Sequence, residues 1–151
     1  MKLAEALQER ADINVRLQQL QARLKRNATV QEGEKPAEDP MQLLQEADAC
    51  VARLEHLMAA INRTNSETVL DGMSLTERIA HKDALTAKLK LYRSFLSDAS
   101  YLAERATHKE IKILSAVNVS ALQKRVDTMS KELRLTDNAL QQANWTVDLK
   151  E

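Results

Sequence analysis

Apolar residues recur at alternating spacings of three and four through four long stretches of this chain, and that rhythm limits the fold more than any other feature. Leu3, Leu17 and Leu24 share one heptad position, with Arg10 between them, and Ala6, Ile13, Leu20 and Asn27 the position three residues on. Such a seam defines a helix of the coiled-coil kind from residue 3 to about 27, with Arg10 and Asn27 as polar breaks. A second seam runs from 40 to about 65 through Leu44, Val51, Met58 and Asn65 and through Ala47, Leu54 and Ile61. Cys50 and Leu57 flank it and widen the stripe, as a helix touching two neighbours requires. A third stretch, from 75 to about 107, carries Leu75, Lys82, Leu89, Leu96 and Ala103 in one register and Leu85, Tyr92, Ala99 and Ala106 in another. A fourth, to about 143, carries Val119, Val126, Leu133 and Leu140 with Leu122, Met129, Thr136 and Ala143.

The breaks between these stretches are equally legible. Gly33, Pro36 and Pro40 end any helix after residue 27, and Asp39-Pro40 is a start signal: the carboxylate caps and proline tolerates the first helical position. Asp71-Gly72 suits a type I′ turn between Thr68-Val69-Leu70 and Met73-Ser74-Leu75. Ser74 and Glu77 are spaced as a capping box for the third helix. Residues 110–119 alternate and are rich in β-branched side chains, which predicts a short strand, with Asn118 or Ser120 capping the fourth helix. The fold expected is all-α: one domain over residues 1–151, an antiparallel four-helix, coiled-coil-like bundle with short β-ribbon elements at its ends. Helices of this length span about 37–50 Å.

In an up-and-down bundle the connectors sort by end. Thr29-Val30-Gln31 and Ile111-Lys112-Ile113 then share one end and are placed to pair as a ribbon. The opposite end gathers Asn62, Arg63 and Asn65 with Asn144 and Trp145, a polar cluster that reads as a hydrogen-bonded end-cap or, failing that, a ligand pocket. Leu91, Phe95 and Leu102 form a second apolar strip on the third helix. That strip predicts a helix burying more of its circumference than the others, or a contact between subunits of a homo-oligomer.

Composition removes several function classes. The chain has 22 basic and 22 acidic residues, so no basic excess points to nucleic acid. Its densest basic groups, Lys25-Arg26, Lys88 with Lys90, and Lys124-Arg125, each have acids nearby and read as solvated helix faces. Two glycines leave no phosphate loop or dinucleotide fingerprint, and no cofactor is expected. Glu77 with His81 and Glu104 with His108 place ligand-type side chains four apart, but the pairs lie about 40 Å apart along one expected helix. They and His56 read as surface residues, so no metal is expected. Cys50 sits on an apolar stripe, and no nucleophile motif accompanies it, so neither catalysis nor a disulfide is expected. The longest uncharged apolar run is residues 57–61, and Glu5 and Glu9 interrupt the N-terminal stretch. Neither a spanning helix nor a signal peptide is expected, which predicts a cytoplasmic protein with no membrane role.

Several segments together resemble a known family: residues 24–33, Pro36-Ala37-Glu38-Asp39-Pro40, Ile61-Asn62-Arg63-Thr64-Asn65, Leu75-Thr76-Glu77, Glu110-Ile111-Lys112, residues 121–127, and Asn144-Trp145-Thr146 followed by Asp148-Leu149. The chain resembles, over nearly its whole length, small bacterial helical proteins often labelled septicolysin. The resemblance carries over no catalytic residue, and its label implies a cytolysin. The expectation from the residues themselves is an oligomeric interaction or structural protein without catalysis. A membrane-active cytolysin or a small-ligand-binding bundle is the alternative.

Overall fold

The computed structural model describes residues 1–101 and 111–151. Among these residues are four helices, α1 (Leu3–Arg26), α2 (Pro40–Glu67), α3 (Leu75–Ser100) and α4 (Val119–Thr146), and a two-stranded antiparallel sheet of β1 (Val69–Leu70) and β2 (Met73–Ser74). The all-helical class read from periodicity is therefore correct. The chain's contacts group into two compact units, Met1–Leu70 with Ala143–Glu151, and Asp71–Gln142.

In the first unit α1 and α2 pair antiparallel. Arg53 reaches Glu9 at 2.7 Å, Arg16 reaches Glu46 at 2.6 Å, and Arg23 binds Glu38, so numbers rise along one helix as they fall along the other. Leu3, Ala6, Ile13 and Leu20 are buried on α1, four positions of the expected seam. On α2 the seam lies one residue away from the expected one. Leu43, Leu57, Ala60, Ile61 and Thr64 are buried, whereas Leu44, Val51 and Met58 remain 42%, 50% and 48% exposed. The line 43, 50, 57 and 64 interleaves with 47, 54 and 61 in the same three-four rhythm as the line 44, 51, 58 and 65. Cys50 and Leu57, expected as flanks, thus belong to the seam.

The linker after α1 is tied down by a residue that breaks the apolar pattern. Asn27 is buried; its amide nitrogen donates to the Arg23 carbonyl at 2.8 Å, and its oxygen accepts from the Glu38 N–H at 3.0 Å. One side chain thereby satisfies a helix-end carbonyl and a linker amide together. Asp39 then accepts from Met41 N–H at 3.0 Å and starts α2 with Pro40 in its first turn, as expected.

The β1–β2 turn has φ of +50° at Asp71 and +80° at Gly72, the double positive φ of a type I′ turn. Ser74 Oγ accepts from Glu77 N–H at 3.1 Å, and Glu77 accepts from Ser74 N–H at 2.7 Å, closing the capping box of α3. In the second unit Leu85, Leu89 and Leu96 of α3 bury against Val126 and Met129 of α4, with Tyr92, Val119, Leu122 and Leu133 packed around them. The α4 register is the one expected, and Asn118 caps it by accepting from Ala121 N–H at 3.0 Å.

Two expectations fail. Neither 29–31 nor 111–113 is a strand, and Ile111 and Leu114 stand almost fully exposed. A two-stranded ribbon needs a packed face to persist in water, and these side chains have none. Nor does α3 bury most of its circumference, since Leu91 and Phe95 face solvent. The expected continuation of α3 from 102 to 107 lies outside the described residues.

Several carboxylates are held below their usual range by their partners. A hydrogen bond from Arg53 lowers Glu9, and one from Arg23 lowers Glu38; Lys82 does the same for Asp137, and Lys2 for Asp148. The Ser74 backbone N–H lowers Glu77. A depressed folded pKa stabilises above the unfolded value and ceases to as pH falls through the folded one. Thermal stability is therefore expected to be flat down to about pH 5 and to decline below about pH 4. A melting temperature unchanged from neutrality to about pH 3 would contradict this.

Candidate functional site

The open end of the α1–α2 pair is closed by the last residues of the chain. The first N–H groups of a helix lack intrahelical partners, and Lys2, which precedes α1, offers no side-chain acceptor. The tail supplies one. Leu3 N–H donates to the Val147 carbonyl at 3.0 Å, and Leu149 N–H donates to the Met1 carbonyl at 2.8 Å, so Lys2 and Asp148 face each other in an antiparallel bridge. Lys2 Nζ binds Asp148 at 2.8 Å and donates to the Thr146 carbonyl at 3.1 Å. On the α2 side, Thr64 is fully buried; its hydroxyl donates to the Ala60 carbonyl at 2.8 Å and accepts from Lys150 N–H at 2.9 Å. Lys150 Nζ reaches Glu67 at 3.1 Å, and His56 approaches Glu151 at 3.8 Å. Residues 147–151 thus form a clasp from α1 to α2.

The five residues expected to form a polar cluster sit around this clasp differently. Asn62 and Arg63 are exposed on the last turns of α2, and Asn65 and Asn144 are half-buried. Trp145 is 66% exposed and lines a groove with Ala4, Glu5, Gln8, Glu9 and Asp12 of α1, of about 350 Å³. The indole therefore lies along α1. The groove's carboxylates are engaged: Glu5 accepts from Lys2 N–H, Glu9 from Arg53 and Asp12 from Gln8. Lys150, which makes the connection to Thr64, is not among the expected site residues. The alternation of Val147, Asp148 and Leu149 is the signal that marks the tail as extended.

On α3, Leu91 and Phe95 are one turn apart, 67% and 47% exposed, and turned away from the buried Leu85, Leu89 and Leu96. Leu102, the third residue of the expected strip, lies outside the described residues. Beside Phe95 a groove of about 220 Å³ is lined by Ala99, Ile113 and Leu114 among others. Two further ionisable residues have local partners: Glu77 closes the α3 cap, and His81 Nε2 meets Glu132 at 3.0 Å. Glu104 and His108 lie outside the described residues. Among the described residues, no group of three His, Cys, Asp or Glu side chains is placed to hold a metal, and no helix is long and apolar enough to cross a membrane.

Paired helices, caps satisfied by the chain itself and an exposed apolar helix face define a small all-helical protein. Residues 10–149 match the model of a family described as of unknown function (DUF6847), and the chain belongs to that family. A crystal structure of a functionally unknown conserved protein from Corynebacterium diphtheriae is 35% identical, covers 99% of each chain and superposes with a TM-score of 0.88. No curated protein matches. Neither the family nor the Corynebacterium protein has an activity assigned to it.

Proposed function

We propose that this is a non-catalytic cytoplasmic interaction protein that self-associates through the solvent-facing strip of α3. The observation that carries the reading is the exposure of Leu91 and Phe95 on one face of a helix whose opposite face is buried. Fully burying a Leu or Phe side chain is worth about 1.5–3 kcal/mol, so two such residues on each of two copies supply a useful part of a dimer's binding energy. A groove beside Phe95 offers a place for a partner's apolar side chain. Light scattering on the purified protein is expected to give a dimer or larger at micromolar concentration. Leu91→Ser with Phe95→Ser is expected to give a monomer of unchanged helix content. A monomeric native protein would end this reading.

The cytolysin implied by the septicolysin resemblance is the competing reading. The same preparation distinguishes it: dye-loaded liposomes are expected to stay intact, and dye release would move the assignment to membrane action.

A further inference from the structure

We propose that a groove between α3 and α4 binds an oligophosphate anion through Lys88, Lys124 and Arg125. The groove, of about 300 Å³, is lined by Lys88 of α3 and by Lys124, Arg125, Thr128 and Met129 of α4. Among the described residues that line it, three of five are cationic and none is acidic. In the sequence, Lys88 and Lys124-Arg125 are separate groups on separate helices. The antiparallel packing of α3 on α4 brings them together around one ring. Lys88 Nζ lies 5.7 Å from the centre of the Tyr92 ring, and the Arg125 guanidinium lies 5.1 Å from it. Arg125 also donates to the Tyr92 hydroxyl at 3.0 Å, which fixes the direction of its fork.

Elsewhere on this helix pair some cations are paired, while others, Lys90, Lys131 and Arg134, have no carboxylate within ion-pair distance among the described residues. Lys82 binds Asp137, His81 meets Glu132, Arg78 approaches Asp71, and Arg93 donates to the Ser130 hydroxyl. Next to the groove, Asp127 accepts from Gln123, and Glu132 is the partner of His81. Among the described residues, Lys88, Lys124 and Arg125 have no carboxylate within ion-pair distance. Like charges gathered at one ring repel, and cation–π attraction offsets that repulsion only in part. A multivalent anion removes it.

The donor chemistry selects phosphate. A guanidinium fork matches two oxygens of one phosphoryl group, while each ammonium acts as a point charge for another. Thr128 donates its own hydroxyl proton to the Lys124 carbonyl, so the donors offered to a ligand are the three cations. Lys88 Nζ and the Arg125 guanidinium stand 5.7 and 5.1 Å from the centre of one ring and come from two helices, a span better met by a chain of phosphates than by one. This site is independent of the proposed self-association.

Calorimetry and amide NMR of the full chain with sodium tripolyphosphate, orthophosphate and citrate test the proposal. Tripolyphosphate is expected to bind saturably and more tightly than the other two, shifting the amides of Lys88, Lys124 and Arg125. Lys88→Gln with Lys124→Gln is expected to weaken binding by about tenfold or more, since each exposed charge contact is modest by itself. Tyr92→Phe keeps the ring but removes the acceptor that orients Arg125, and should weaken binding less. Lys35→Gln, in the α1–α2 linker, should change nothing. Citrate binding as tightly as tripolyphosphate would reduce the groove to a nonspecific charge patch and overturn the assignment. So would no saturable binding, or an undiminished affinity in the folded double variant.

Discussion

Leu57→Ala is expected to lower the unfolding free energy by about 2–5 kcal/mol, and Met58→Ala by less than about 0.5 kcal/mol. The two residues are neighbours and similar in size, yet Leu57 is completely buried and Met58 is 48% exposed. Truncating Leu57 removes apolar contacts and leaves a cavity between α1 and α2 that the neighbouring side chains fill only in part. Truncating Met58 shortens a side chain that solvent already surrounds. For a chain of this size each kcal/mol moves the melting temperature by about 2–4 °C, so thermal unfolding separates the two variants cleanly. Equal losses, or a larger loss at Met58, would place the seam on the line through Leu44, Val51 and Met58.

Thr64→Val is expected to cost about 1–2 kcal/mol although it preserves shape and adds apolar surface. The Thr64 hydroxyl is both donor to Ala60 and acceptor for Lys150, and it is the buried point to which the tail is fastened. Valine offers the Lys150 N–H nothing. The tail then finds its partner in water, and the amides of Leu149 and Leu3, bonded across the clasp, are expected to exchange much faster. The Leu57 and Ile61 amides inside α2 should keep their protection. Uniform acceleration throughout the first unit would mean that the clasp and the helix pair open as one.

These three variants mark where the sequence is readable and where it is not. Helix existence, the Asp39-Pro40 start, the Ser74–Glu77 box and the Asp71-Gly72 turn depend on chemistry within a few residues, and all are found where the residues predict them. The seam of α2 depends on something further away. Leu43-Leu44, Cys50-Val51 and Leu57-Met58 are adjacent apolar pairs, so the two heptad lines are equally greasy, and only the facing surface of α1 chooses between them. Asn27 reads as a flaw in a seam because its value lies in the Glu38 amide, which no periodicity can foresee. Around that end of the helix pair the sequence draws attention to a polar cluster. It favours amides and an indole where the fold uses a backbone bridge and one buried hydroxyl. The basic groove is hidden for a related reason, since its charges belong to helices 36 residues apart at the closest pair, and only packing adds them up.

The clasp also says something about the order in which this chain assembles. Glu9 and Arg53 are 44 residues apart, whereas the bond from Lys2 to the Thr146 carbonyl joins positions separated by 144. Loop-closure entropy rises slowly with length, but contacts between nearby segments still come first. The α1–α2 hairpin is therefore expected to zip before its latch arrives. The latch is a late-closing, early-opening part of the landscape, whose loss leaves a folded hairpin behind.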